Sequence, residues 1–396
     1  MRRRDLQFTG FSHRATISVS VILVVMLHAF SRADDRSESR DIRPLRGEFK
    51  IAKEGRLILL PVEVKGESSL FMLDTGACRS CFDIILRDCL GKTRGSQVVQ
   101  TPAGRMRVET YDWPDATLAG QPLRTDVQVA CIDLAEFRQG VNESIFGVIG
   151  MDVLRKCRLQ IDFDCGTARF LDALPARHEE LGMRIPIEFS ETGAPFLMGI
   201  LSEDTSERFL IDTGAQGNSL QSELFDQLLD RKLIRLGSSY KSVTVGGEVQ
   251  GRRGQLQRLS IGSISHEGLR MSRVNISSLG LRYFSRFQVT FDFPENAVFL
   301  QKGEHFAKAE PHATSGMTLN WIDDNIVVRS VKSGGPAEAA GIRPDDVIVR
   351  VNDKVASEYD HFSLRQLLTS EGGIKVSMKI RRGDREFSIE MALEAD

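Results

Sequence analysis

One heptapeptide frame occurs twice in this chain. Three apolar residues run into Asp-Thr-Gly-Ala at Phe71-Met72-Leu73-Asp74-Thr75-Gly76-Ala77, and again at Phe209-Leu210-Ile211-Asp212-Thr213-Gly214-Ala215. A lone Asp-Thr-Gly arises by chance in roughly one chain in ten of average composition, and is then a β-turn whose aspartate caps local backbone. Two copies in the same apolar frame, 138 residues apart, point instead to a duplicated strand-into-turn unit. Each copy ends a strand on a carboxylate.

The flanks repeat as well. Alternating apolar residues predict a strand over 56–64, a turn over 65–68 and a second strand over 69–73 that ends at Asp74. Strand 195–201, turn 202–206 and strand 207–211 restate that hairpin before Asp212. A short helix is expected after each aspartate. The second is the clearer, because Leu224, Phe225, Leu228 and Leu229 share one helical face. The closing segments match too. Gly150-Met151-Asp152-Val153-Leu154 precedes strands 158–163 and 168–171, and Gly280-Leu281-Arg282-Tyr283-Phe284 precedes strands 287–293 and 297–300. The expected fold is β-dominated, with two β-barrel lobes of about 110 residues whose pseudo-two-fold symmetry would set the two turns face to face.

Two facing carboxylates have a definite chemistry. Aspartates about 3 Å apart cannot both ionise comfortably, so one keeps its proton; the pair can then take a proton from water and give one to a carbonyl oxygen. Asp74 and Asp212 are therefore the candidate catalytic residues, titrating together as a dyad. Thr75 and Thr213 are expected to hydrogen-bond across the interface and stiffen the turns. Gly76 and Gly214 would let backbone N–H groups come close to the carboxylates.

The double Asp-Thr-Gly-Ala, with Val148-Ile149-Gly150 downstream, resembles the retropepsin-like aspartic proteases over roughly 56–301. The resemblance implies a fused two-lobed enzyme that hydrolyses peptide bonds, with an apolar-apolar-Gly strand crossing behind each catalytic loop. It also implies glycine-bearing flaps over the substrate, for which Thr101-Pro102-Ala103-Gly104 and Val245-Gly246-Gly247 are the candidates; plain surface hairpins are the alternative. The second lobe departs from the first. Ser278 stands in place of Val148, Arg282 in place of Asp152, and Gln216-Gly217-Asn218-Ser219 in place of Cys78-Arg79-Ser80-Cys81. The two sides of the cleft are expected to be unequal.

A polar connector, 304–315, leads to a different module. Ile326-Val327-Val328, then Ser333-Gly334-Gly335-Pro336-Ala337-Glu338-Ala339-Ala340-Gly341-Ile342, then Asp345-Asp346-Val347-Ile348-Val349-Arg350-Val351-Asn352-Asp353 closely resemble the PDZ domains of bacterial envelope proteases. That resemblance spans 316–393 and implies a small β-sandwich with short helices that adds an extended peptide to a sheet edge. It implies that Gly316, Met317, Thr318 and Leu319 receive a peptide's terminal carboxylate, with helix 361–369 as the other groove wall.

The rest of the sequence bounds these readings. A net charge of −2 gives no reason to expect nucleic acid or an anionic membrane as partner. Arg2, Arg3, Arg4 and Arg14 precede an apolar stretch over 17–30 and a small-x-small site, Ser31-Arg32-Ala33, which together predict an export leader. The stretch is short for a membrane span, so an uncleaved anchor is the lesser alternative. The expected organisation is a signal peptide at 1–33, a linker or pro-segment at 34–50, protease lobes at 51–175 and 185–303, a linker at 304–315 and the PDZ domain at 316–396, located in the periplasm or cell envelope. Six cysteines leave disulfides and buried free thiols both open. No metal or cofactor is implied. His178-Glu179-Glu180 lacks a second histidine, Cys78-x-x-Cys81 has no second pair, and Ser333-Gly334-Gly335-Pro336 follows no His/Asp framework. Expected partners are protein or peptide substrates and a C-terminal tail for the PDZ domain. Two functions remain: an exported aspartic endopeptidase whose PDZ domain recruits substrate or regulates, and a non-catalytic envelope adaptor.

Overall fold

The computed structural model describes Met26, Leu27 and residues 45–396, apart from Glu54, Pro102, Asn142, Pro311, His312, Asp323, Asp324, Glu371 and Asp396. The leader expected at 1–33 lies outside the described residues except for Met26 and Leu27, which pair with Gln100 and Val99. Residues 34–44 of the expected pro-segment lie outside them too. The described chain forms two compact units, one ending at Glu310 and one running on from 311, with Ser238–Tyr240 grouped with the second. The strand-dominated fold expected from the sequence is the one that forms.

In the first unit a hairpin leads into each Asp-Thr-Gly turn. Leu59–Val64 pairs with Glu67–Leu73, and Pro195–Ser202 with Thr205–Ile211. The four- and five-residue turns expected here close to two residues. At the first, Lys65 and Gly66 both take left-handed backbone (φ +50° and +87°), the geometry whose twist matches paired strands. Along both aspartate-bearing strands, burial is complete only over the last three residues: Phe71, Met72 and Leu73, and Phe209, Leu210 and Ile211. The apolar triplet therefore carries each aspartate into the core. Beside each strand runs a parallel neighbour, Ile145–Ile149 aligned through Ile149 with Leu73, and Ser278–Leu279 aligned through Leu279 with Ile211. These pairs lie inside a ten-stranded sheet in the first copy and an eight-stranded sheet in the second.

A third, six-stranded sheet is shared between the copies. The closing strand Arg158–Asp162 pairs antiparallel with Phe287–Asp292, the matching closing strand after the second Asp-Thr-Gly, setting Leu159 opposite Phe291 and Ile161 opposite Val289. Each closing hairpin leaves one edge unpaired, and pairing with its counterpart satisfies both edges at once. The apolar faces merge into one core holding Leu159, Ile161, Phe163, Val289, Phe291 and Phe293 together with Phe71 and Ile211.

The second unit is a sheet ordered Met317–Ile322, Asn325–Val331, Val347–Val351, Lys375–Arg382, Arg385–Ala392, with helices Pro336–Ala339 and His361–Leu368. Ile326, Val328, Ile348, Val351, Leu364, Val376 and Ile380 form its core. Asp346, fully buried, is held by a bidentate pairing with Arg382. Among the described residues of the chain no helix is long and apolar enough to cross a membrane.

Candidate active site

Strand pairing brings Asp74 and Asp212 to the same place. The Asp74 N–H donates to Ile149 O (3.0 Å) and the Asp212 N–H to Leu279 O (3.0 Å), so each parallel ladder continues onto the aspartate. The threonines then lock the turns to one another. The Thr75 N–H donates to Thr213 Oγ1 (3.0 Å) and the Thr213 N–H to Thr75 Oγ1 (3.0 Å). Each hydroxyl passes its own proton back across the interface, Thr75 Oγ1 to Ile211 O (2.7 Å) and Thr213 Oγ1 to Leu73 O (3.0 Å). All four bonds are buried, and each hydroxyl both accepts and donates, so no polar group in the clamp goes unpaired.

The carboxylates lie against the opposite glycines. A Cβ added at Gly214 would fall 2.3 Å from Asp74 Cγ, and one at Gly76 would fall 2.6 Å from Asp212 Oδ1. Only glycine permits that approach. Asp74 Oδ1 accepts the N–H groups of Gly76 (2.7 Å) and Ala77 (3.1 Å), and Asp212 Oδ1 accepts that of Gly214 (3.1 Å). Neither Oδ2 takes a hydrogen bond from a protein donor. Complete burial pushes the proton affinity of both carboxyls well above the usual range, the charge of Asp74 raising Asp212 further. Burial and the neighbouring charge thus both oppose ionising the two carboxyls together.

Behind each turn a second layer fixes the loop. A Cβ at Gly150 would meet Ala77 O at 2.8 Å, and one at Gly280 would meet Ala215 O at 2.5 Å. The next residues donate into the turns, Met151 N–H to Ala77 O and Leu281 N–H to Ala215 O, both 2.8 Å. In the first copy the Gly150 N–H donates to Ser80 Oγ (3.0 Å), whose hydroxyl and N–H donate to Asp152 Oδ1 (2.7 and 2.8 Å). Burial pushes the Asp152 carboxyl up to about 6. In the second copy the Gly280 N–H donates to Asn218 Oδ1 (3.2 Å), and Asn218 Nδ2 donates to Glu310 Oε1 (3.4 Å). Sequence reading passed over Glu310. It sits in a polar connector, and no neighbouring residue marks it for burial.

The flap candidates meet at their tips. They belong to the hairpins Thr93–Thr101/Gly104–Tyr111 and Ile234–Thr244/Gly247–Ile261. A Cβ at Gly246 would come within 2.6 Å of Thr101 Oγ1, and one at Gly247 within 3.7 Å of Ala103 Cβ. The tips share a device: Thr101 Oγ1 donates to Gly104 O (2.9 Å) and Thr244 Oγ1 to Gly247 O (2.8 Å). Pro102 lies outside the described residues.

Other candidate residues lie elsewhere or carry different chemistry. None of the six cysteines is joined in a disulfide in this structure, and Cys78, Cys81, Cys131 and Cys157 are buried. Among the described residues no group of three or more His, Cys, Asp or Glu could hold a metal ion. In the second unit Gly316 takes left-handed backbone (φ +72°) and donates its N–H to Thr314 Oγ1 (3.1 Å). Met317 buries its side chain in that unit's core, the Thr318 hydroxyl bonds Ser330 Oγ (2.5 Å), and Leu319 packs half-buried beside them.

Comparison with known proteins agrees with part of this reading. A family model described as aspartyl protease matches residues 200–281, a range that contains Asp212 and its turn but not Asp74. A PDZ domain model matches residues 327–382. No curated protein matches the chain. Among solved structures, the PDZ domain of a carboxy-terminal protease from Vibrio cholerae, in complex with peptide, is 21% identical over 21% of this chain and 93% of that one (TM-score 0.19). The HtrA3 PDZ domain bound to a phage-derived ligand is likewise 21% identical, over 21% and 86% (TM-score 0.19). A photosystem II D1 C-terminal processing protease is 23% identical over 21% of this chain (TM-score 0.20), and the match spans 23% of that protein's length. The chain thus contains an aspartyl protease-like domain and a C-terminal PDZ domain.

Proposed function

We propose that this chain is an exported aspartic endopeptidase of the fused two-lobed, retropepsin-like kind, with Asp74 and Asp212 as its catalytic dyad. The observation that carries the reading is the pair of buried carboxyls, cross-clamped by Thr75 and Thr213, whose Oδ2 atoms are left to the reaction. With one shared proton, the ionised member takes a proton from a water whose oxygen bonds the peptide carbonyl carbon, while the protonated member gives its proton to the carbonyl oxygen. The newly protonated member then gives its proton to the amide nitrogen while the other takes one from a gem-diol hydroxyl. The C–N bond breaks, the carboxylic acid and amine leave, and the dyad again holds one proton. No cofactor takes part. The meeting hairpins at Ala103–Gly104 and Gly246–Gly247 would close over a peptide, and water exclusion there would strengthen the electrostatics. The PDZ domain would recruit substrate tails or regulate the dyad, and the leader would deliver the enzyme to the periplasm or cell envelope.

The test is peptide-library cleavage from acidic to neutral pH by the mature protein and by Asp74→Asn and Asp212→Asn, with circular dichroism to check folding. Each substitution should cut the rate by about 10²–10⁴-fold with the fold intact. Undiminished cleavage by either variant refutes the dyad. A folded wild type that cleaves nothing at any pH favours the non-catalytic adaptor.

A further inference from the structure

We propose that Glu310 is a positioning residue for the second catalytic turn, so that the connector to the PDZ domain is a working part of the active site. The catalytic consequence rests on the protease reading above; the structural claim does not. Glu310 is only 3% exposed, although it lies in a segment as polar as any linker. Its Oε1 accepts Asn218 Nδ2, and its Oε2 accepts the Arg270 N–H (2.9 Å). Arg282 and Arg286 stand 3.8 Å away and balance its charge. The preceding residues are tied to the same half: Arg286 Nη1 donates to Phe306 O (3.2 Å) and Lys308 O (2.6 Å), and the Phe306 ring packs on His266 and Phe287.

The path from Glu310 to the dyad is short. The Gly280 N–H can only donate, so it requires Asn218 Oδ1 to face it, and Asn218 Nδ2 must then find an acceptor on its other side. Glu310 is that acceptor. Gly280 in turn lies between Leu279, whose carbonyl holds the Asp212 N–H, and Leu281, whose N–H holds Ala215 O. In the first copy the same demand is met locally, by Asp152 through Ser80. The second copy has Arg282 at the matching helix position, so its carboxylate comes from 92 residues beyond Asn218. A purely structural ion pair with Arg286 would leave the Asn218 amide unengaged, and here it is engaged.

Hydrogen–deuterium exchange of the full chain tests this without relying on activity. Glu310→Ala removes the acceptor. Glu310→Gln keeps the volume but offers one acceptor where two donors point. Both should speed exchange about tenfold or more in peptides covering 213–218 and 280–282, because buried donors lose their charged acceptor. Peptides covering 75–80 and 150–154 should be unchanged. Equal acceleration in both copies, or none in either, overturns the proposal. Where the wild type cleaves peptide, kcat should fall about tenfold in Glu310→Gln with KM held within about twofold, and an unchanged kcat counts against the proposal. A wild type that cleaves nothing sinks the protease reading instead, and the exchange result still decides the role of Glu310.

Discussion

The two Asp-Thr-Gly copies agree at the turn and differ one layer behind it. At the turn, the same glycine approach, the same threonine exchange and the same ladder onto the aspartate occur twice. Behind it, a serine with an acid on the adjacent helix does in one copy what an asparagine with an acid from the connector does in the other. The turn is narrowly determined because few side chains can both accept and donate in that space. The layer behind need only present an acceptor to one N–H, which many pairs can do. The carboxylates differ as well: Asp74 Oδ1 takes two backbone N–H groups and Asp212 Oδ1 one. Donors to a carboxylate favour its charged form, while burial opposes it at both aspartates.

The largest effect should come from the glycines. Gly214→Ala would drive a methyl to 2.3–2.5 Å from every atom of the Asp74 carboxylate, and Gly76→Ala to 2.6 Å from its nearest atom in Asp212. On the proposed protease reading each should lower the cleavage rate by on the order of 10³-fold, with Gly214→Ala the worse, because the dyad chemistry needs both carboxyls to keep their geometry. A milder Gly214→Ala would break the ordering. Next come the threonines. Thr75→Val and Thr213→Val each strand a buried N–H and a buried carbonyl, costing about 2–5 kcal/mol in urea unfolding. Because the exchange is reciprocal, the two losses should agree within about 1 kcal/mol, and unequal losses would show that one copy carries the clamp.

The smallest effect separates the copies by pH. Asp152 has a carboxyl raised by burial to about 6, against about 4 in an unfolded chain. A raised native value means stability present below about pH 4 is lost as pH climbs through 6. Asp152→Asn removes that slope while keeping an oxygen for Ser80. Relative to this variant, wild type should lose up to about 2 kcal/mol between pH 4 and 7. The second copy has Arg282 on the matching helix and adds no such slope. Parallel pH profiles for wild type and variant would show that Asp152 does not titrate there.

Most of what the sequence made legible is local. The hairpins before Asp74 and Asp212, the helix burying Leu224, Phe225 and Leu228, and the closing hairpins all follow from periodicities of two and 3.6 within a few residues. The turns came out shorter than read, because Lys65 takes the left-handed backbone that composition alone assigns to glycine. The six thiols were undecidable, since spacing along the chain says nothing of which cysteines approach.

By itself, then, the sequence determined that two carboxylates would be delivered on matched strands into matched turns, since each strand buries its apolar triplet wherever the rest of the chain lies. Only the tertiary structure decided what those turns meet. The pairing of 158–162 with 287–292, the touch of Thr101 on Gly246 and the reach of Glu310 to Asn218 each join segments far apart in the chain. Such contacts depend on which edges and polar atoms each half leaves unsatisfied. That is a property of the folded surfaces, and no local pattern encodes it.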